Sequence, residues 1–114
     1  NETVITVEIA KTLEEQQKGL SGRNLLQSDT GMLFVYESPT KPVFWMKEMN
    51  FPIDIIWINN GKIVGFEENL IPEDPPTTRY SPVFLVDTVL EVNSGFIKFN
   101  NLKINDELDI LVSN

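Results

Sequence analysis

Cysteine and histidine are both missing from this chain. Without cysteine there are no disulfides, no thiol nucleophile and no thiolate metal site, and the redox compartment stays open. Without histidine there is no Ser-His-Asp or Cys-His machinery, no imidazole proton shuttle and no histidine metal site. Any catalysis would rest on carboxylates, lysine, tyrosine or a metal held by oxygen ligands. Basic residues are also scarce. Nine Lys and Arg face 17 Asp and Glu, for a net charge of −8. The bases are scattered singly and form no stripe, which disfavours nucleic acid and anionic membrane as general partners. No apolar stretch approaches the roughly 20 residues of a membrane helix, so no membrane insertion is expected. The acids lack the D-x-[DN]-x-[DN]-G spacing, so no metal and no cofactor is implied.

What remains is an ordinary globular composition, 41% hydrophobic and 23% charged over 114 residues. That length suits one domain over residues 1–114. The chain opens Asn1-Glu2-Thr3 without a methionine. We therefore expect a processed product, with a removed signal peptide or lipid anchor upstream.

Alternation predicts a strand over Thr3–Ala10, with Ile5, Val7 and Ile9 on one side. Thr12 and Glu15 form a capping-box pattern that starts a helix over about 12–20 and ends it at Gly19 or Gly22. Further strands are predicted over Gly31–Tyr36, Val43–Lys47, Ile53–Ile58 and Lys62–Asn69. Ser38–Pro42 is expected to turn, and Asn59-Asn60-Gly61 is a strong hairpin signal. Residues 71–82 hold four of the seven prolines and read as a surface loop. Val83–Val86 and Val89–Val92 read as strands, Gly95–Asn101 as one or two helical turns, and Glu107–Val112 as a last strand. About eight short strands and one helix in the N-terminal half predict a mainly β fold, an antiparallel sandwich or barrel of jelly-roll type. Parallel crossovers would call for more helices.

The densest segment is 44–58. It holds both tryptophans and sets Lys47 and Asp54 within an apolar run. A buried Asp54 needs a cation or backbone N–H groups, and Lys47 and Arg23 are the obvious cations. The functional alternative is an anchor for a polar ligand; the plain one is an ion pair or a turn cap. Arg23 follows the glycine-rich helix end and could fork onto a carboxylate of a ligand or of the protein. Trp45 and Lys47 share one strand face, a platform for a sugar or planar ligand, against a plain core role. Tyr80 closes the proline-rich loop and could cover a pocket or simply pin the loop. Glu91 could pair with Asp54 for acid/base work, as in glycoside hydrolysis, if the two stood about 5–10 Å apart. Its default is a solvated strand face.

The ordered blocks resemble a bacterial and archaeal family, domain of unknown function 192. They are Val7-Glu8-Ile9-Ala10, Gly19-Leu20-Ser21-Gly22-Arg23, Gly31-Met32-Leu33-Phe34-Val35, Phe44-Trp45-Met46-Lys47, Pro52–Ile58 and Val89-Leu90-Glu91-Val92-Asn93. The resemblance runs from about Val4 to Val112. Glu48-Met49, Ser94-Gly95 and Ile104-Asn105-Asp106 depart from the family's usual Asn-Thr, Ala-Gly and Val-Gly-Asp. The resemblance implies a compact β-sandwich or jelly-roll domain, often behind a signal peptide or lipoprotein anchor, hence an extracytoplasmic home. It implies no activity. The candidate ligand-binding residues are Arg23, Trp45, Lys47, Asp54, Tyr80 and Glu91, with no catalytic residue assigned. The favoured function is non-enzymatic binding of a polar or saccharide-like ligand near the Trp-Met-Lys and Pro-Ile-Asp segments. The alternatives are a hydrolase using Asp54 and Glu91, and a structural or interaction module with a buried Lys-Asp or Arg-Asp brace. Oligomeric state is left open.

Overall fold

A computed structural model describes residues 3–113. The elements in chain order are β1 (Val4–Ala10), α1 (Leu13–Lys18), β2 (Thr30–Thr40), β3 (Ile53–Asn59), β4 (Lys62–Leu70), β5 (Val86–Asn93), α2 (Phe96–Phe99) and β6 (Asp109–Val112). The six strands form one open sheet in the order β4-β3-β5-β2-β1-β6. Among the described residues no helix is long and apolar enough to cross a membrane.

The expected sandwich or barrel of eight antiparallel strands is corrected to this single mixed sheet. β1 runs parallel to both β2 and β6, while β2–β5, β5–β3 and β3–β4 are antiparallel. One crossover through α1 suffices for the parallel β1–β2 pair, so a shortage of helices did not exclude it. Two expected strands are lost. Residues 43–47 lie flat on the sheet as a strap, tied by one isolated bridge between Phe44 and Tyr80. Residues 83–85 stay outside, and 86–93 run as one strand through Asp87 and Thr88. The Asp87 carboxylate reaches back to accept the Asn60 N–H at 3.1 Å, which gives that polar pair a place in the strand. β2 runs on through Ser38 and Pro39, where a turn was expected. The register shift between Val35 and Thr40 lets the proline in, since an irregular ladder does not need its missing N–H.

Other local signals act as written. Thr12 caps α1, with its hydroxyl accepting from the Glu15 N–H and the Glu15 carboxylate accepting from Thr12 N–H. Asn60 and Gly61 take φ of 52° and 77° in the β3–β4 turn, the left-handed pair a two-residue hairpin requires.

Both faces of the sheet are covered, which is why β3 is buried at every position from Ile53 to Ile58. On one face Ile5, Val7, Ile56, Ile58, Leu90 and Val92 pack under Phe96 and Ile97 of α2. On the other, Met32, Phe34, Ile55, Trp57 and Val89 pack under Leu20, Met46 and the strap. Loops and short helices therefore do what a second sheet does in a sandwich.

Candidate functional site

Asp54 is the second residue of β3 and is fully buried. Its Oδ1 accepts the Asn69 N–H at 2.8 Å, and its Oδ2 accepts the Gly95 and Ile97 N–H groups, each at 3.1 Å. Asn69 and Gly95 both sit at positive φ, 54° and 93°, which turns their amides inward. The Asn69 side-chain oxygen then accepts from the Ser94 hydroxyl at 2.8 Å. One carboxylate thus ties the end of β4 to the turn that opens α2. This corrects the expected brace, since among the described residues no lysine or arginine meets Asp54. Arg23 forks instead onto Glu8, at 2.5 and 2.9 Å. That bidentate bond holds the Glu8 carboxyl below the usual carboxylate range.

Glu91 lies on β5 opposite Ile55 of β3 and Met32 of β2. Asp54, one residue before Ile55, lies opposite Val92. Residues directly opposite in a ladder project to the same side and successive residues alternate, so Asp54 and Glu91 project from opposite faces. The carboxylate pair required by the hydrolase alternative does not exist. Nor is Glu91 on a solvated strand face: it is 5% exposed. The covering strap and α1 end make this face a second core.

The Glu91 carboxyl has no hydrogen-bond partner among the described residues. It borders an open cleft of about 730 Å³. Gly19, which closes α1 at φ 50°, leaves the approach bare. A Cβ there would stand 3.7 Å from Glu91 Oε1 and 3.4 Å from Phe34 Cζ. Burial without a counter-charge pushes the Glu91 carboxyl up to about 8. Tyr36, in the same lining, is pushed up to about 12 by burial and by the Glu91 charge.

The far wall is the strap. Phe44 turns inward, packed edge-on against Phe34 at 5.1 Å between ring centroids and tilted over Trp57 at 5.8 Å. Trp45 turns outward and is 42% exposed. Lys47 Nζ lies 5.1 Å and Arg79 Cζ 4.2 Å from the centre of its ring, both within cation–π range. Tyr80 holds the strap by its backbone, exchanging two 2.8 Å hydrogen bonds with Phe44.

Of the six residues singled out in the sequence, Trp45, Lys47 and Glu91 line this one cleft, and Tyr80 braces its wall. Asp54 serves the opposite face, and Arg23 borders a separate, smaller hollow of about 310 Å³. Sequence reasoning missed Tyr36, Phe34 and Gly19. A faint signal existed for the first two. Phe34 and Tyr36 alternate along β2, but only the β2–β5 register places them beside Glu91. Chemically, the cleft offers an unpaired carboxyl among aromatic rings. Protonated, it donates one hydrogen bond; ionised, it needs a cation or several donors. Among the described residues no three acidic side chains converge as a metal would require.

The model of the family DUF192 (Uncharacterized ACR) matches residues 1–110. No curated protein matches the chain. Two solved structures are similar throughout. One is a "putative transcription regulator" from Sinorhizobium meliloti 1021, 29% identical with a TM-score of 0.83, the match covering 89% of this chain and 78% of that one. The other is a protein of unknown function from Novosphingobium aromaticivorans DSM 12444, 30% identical with a TM-score of 0.82, covering 89% and 71%.

Proposed function

The chain belongs to the DUF192 family, and from the cleft beside Glu91 we propose that it is a small extracytoplasmic domain that binds a polar, saccharide-like ligand without transforming it. One observation carries this reading: the carboxyl of Glu91, a residue only 5% exposed, has no protein partner among the described residues and stands at the edge of an open cleft. Leaving a largely buried carboxyl to the little water that an open cleft admits, with no protein donor, gives up stability at that point, at most roughly 1–3 kcal/mol. A ligand that pairs with Glu91 returns it. Around the carboxyl, Phe44, Tyr36 and Trp45 offer apolar surface of the kind that receives the flat faces of sugars. The single buried carboxyl on this face favours binding over two-carboxylate hydrolysis.

The regulator named among the similar structures does not draw this chain toward DNA. A net charge of −8 repels a phosphate backbone, and the clustered lysines that offset it are missing. The extracytoplasmic address rests on the motif resemblance and is tested by fractionating cells that express the full natural gene.

The binding reading is tested by titrating the isotope-labelled protein with a panel of neutral and amino mono- and oligosaccharides and following its amide resonances. Shifts should cluster at Gly19, Phe44 and Lys47 and weaken in Trp45→Ala. No shift with any sugar, or shifts unchanged in Trp45→Ala, would overturn it.

A further inference from the structure

Resting on the reading of this cleft as a ligand site, we propose that the group it receives at Glu91 is a cationic nitrogen, a primary or secondary ammonium of the ligand, seated between the Glu91 carboxylate and the rings of Phe34 and Tyr36.

Three observations converge on a cation. First, Glu91 has no N–H or O–H donor and no counter-charge from the protein among the described residues. An ammonium supplies both at once, and a charge-assisted bond is roughly twice as strong as one to a neutral hydroxyl. Second, the same cleft is walled by aromatic rings, whose negative faces attract cations once water is excluded. The wall already shows that preference outside, where Lys47 and Arg79 both lie over Trp45. Third, the other charged groups lining the cleft balance one another and leave the Glu91 charge uncancelled. The charged groups sharing the cleft with Glu91 are Glu14 and Lys18 of α1, Lys47 of the strap and Glu48 just after it, with Tyr36 the titratable group from β2. Lys47 is engaged with Trp45, and Lys18 sits in the last turn of α1, where the helix carbonyls favour it. Neither lysine reaches Glu91. With a net charge of −8 the chain as a whole draws cations and repels anions.

Gly19 gives the proposal its steric side. A Cβ at Gly19 would stand 3.7 Å from Glu91 Oε1 and 3.4 Å from Phe34 Cζ, so any side chain there would crowd the approach to the carboxyl that the nitrogen needs. Binding then proceeds with loss of one proton. The carboxyl is pushed up to about 8 while unpaired, and ionises as the ammonium arrives.

The experiment compares three probes of matched size, n-butylammonium, n-butanol and butyrate, by amide-resonance titration below and above about pH 8. The expected result is butylammonium shifts at Gly19, Phe34 and Tyr36, with affinity about tenfold or more above that of the alcohol and the acid. Butylammonium affinity should rise with pH toward about 8 and fall to the level of butanol in Glu91→Gln and in Glu91→Met, which keeps the volume. Equal or tighter binding of butanol or butyrate overturns the proposal, as does butylammonium binding that survives both Glu91 variants. If no amine shifts the cleft while neutral sugars do, the ammonium assignment falls and the cleft reading stands. If neither does, both fall.

Discussion

Asp54 and Glu91 stand one step apart across the β3–β5 ladder, and their carboxylates leave the sheet on opposite sides. The separation divides two tasks that a pair of neighbouring buried acids could have shared. Asp54, with three backbone N–H partners, is architecture. Glu91, with no protein partner among the described residues, is left to face the cleft.

Asp54→Asn is predicted to destabilise the fold by about 3 kcal/mol, with little effect on the cleft. An amide can accept through one oxygen only, so its NH₂ would be pressed against the donors of Asn69 or of Gly95 and Ile97. Urea denaturation gives the magnitude. Hydrogen exchange at Gly95 and Ile97 should accelerate ahead of exchange in the middle of β5. A variant as stable as the parent would show that those three bonds contribute nothing net.

Glu91 makes stability depend on pH in the sense opposite to most acids. Its folded value of about 8 lies above the ordinary 4.5. Below about pH 4.5 the carboxyl is protonated in both states and has no linkage effect. Between about 4.5 and 8 the unfolded chain loses the proton while the folded chain keeps it, so stability falls as pH rises. Above about 8 both states are ionised and the effect levels off. The slope attributable to this one group is at most about 1.4 kcal/mol per pH unit. We predict that Glu91→Gln removes this decline and is more stable than the parent at about pH 8, read from urea midpoints across the window. A parent and variant with parallel pH profiles would contradict the burial of an unpaired acid.

How much of this was legible in the sequence follows from where the information sits. The Asn59-Asn60-Gly61 turn and the Thr12–Glu15 box are local, and both elements form where their residues require. The strap was misread because its apolar residues do alternate. Phe44 and Met46 point inward and Trp45 and Lys47 outward, as strand spacing implies, yet no neighbouring strand pairs with it beyond the Phe44–Tyr80 bridge. The parallel β1–β2 and β1–β6 pairs join segments far apart in the chain and leave no turn signature. The site suffered most from this. Glu91 and Trp45 were recognisable as chemistry, but which carboxylate shares a face with which aromatic is decided by register between distant strands. A shift of one residue between β3 and β5 would have put Asp54 and Glu91 on the same face.

The Arg23–Glu8 fork is predicted to matter little for stability despite its geometry. Both side chains are well exposed, 35% and 49%, so water and salt screen the pair. Glu8→Gln should cost about 0.5 kcal/mol or less in moderate salt, and less again as salt is raised. Because Arg23 keeps Glu8 below the usual carboxylate range, that small contribution should vanish as the pH falls through the carboxylate region. A loss several times larger, measured by urea denaturation, would mean that the fork anchors the 19–29 loop cooperatively. Asn50, whose side chain donates to the Arg23 carbonyl at 2.9 Å, would then share in it.

Two glycines in this sheet are predicted to fail for different reasons, and comparing them tests the β2–β5 register that places Glu91. Gly31 sits opposite Val92, and a Cβ there would lie 2.6 Å from the Glu91 backbone carbonyl oxygen and 3.0 Å from Val92 Cγ1. A backbone atom cannot swing aside like a side-chain tip, so Gly31→Ala must force β2 and β5 apart. The expected loss is about 3 kcal/mol, at the upper end of overpacking costs. Gly61 has open space around it, but its φ is 77°. Gly61→Ala therefore meets only backbone strain, about 1 kcal/mol. Urea midpoints measured side by side should rank Gly31→Ala clearly below Gly61→Ala. Amide shifts should spread along β2 and β5 in the first and stay within the β3–β4 turn in the second. If the two variants lost equal stability with equally local shifts, the close approach of the two strands at Gly31 would be wrong, and the position of Glu91 with it.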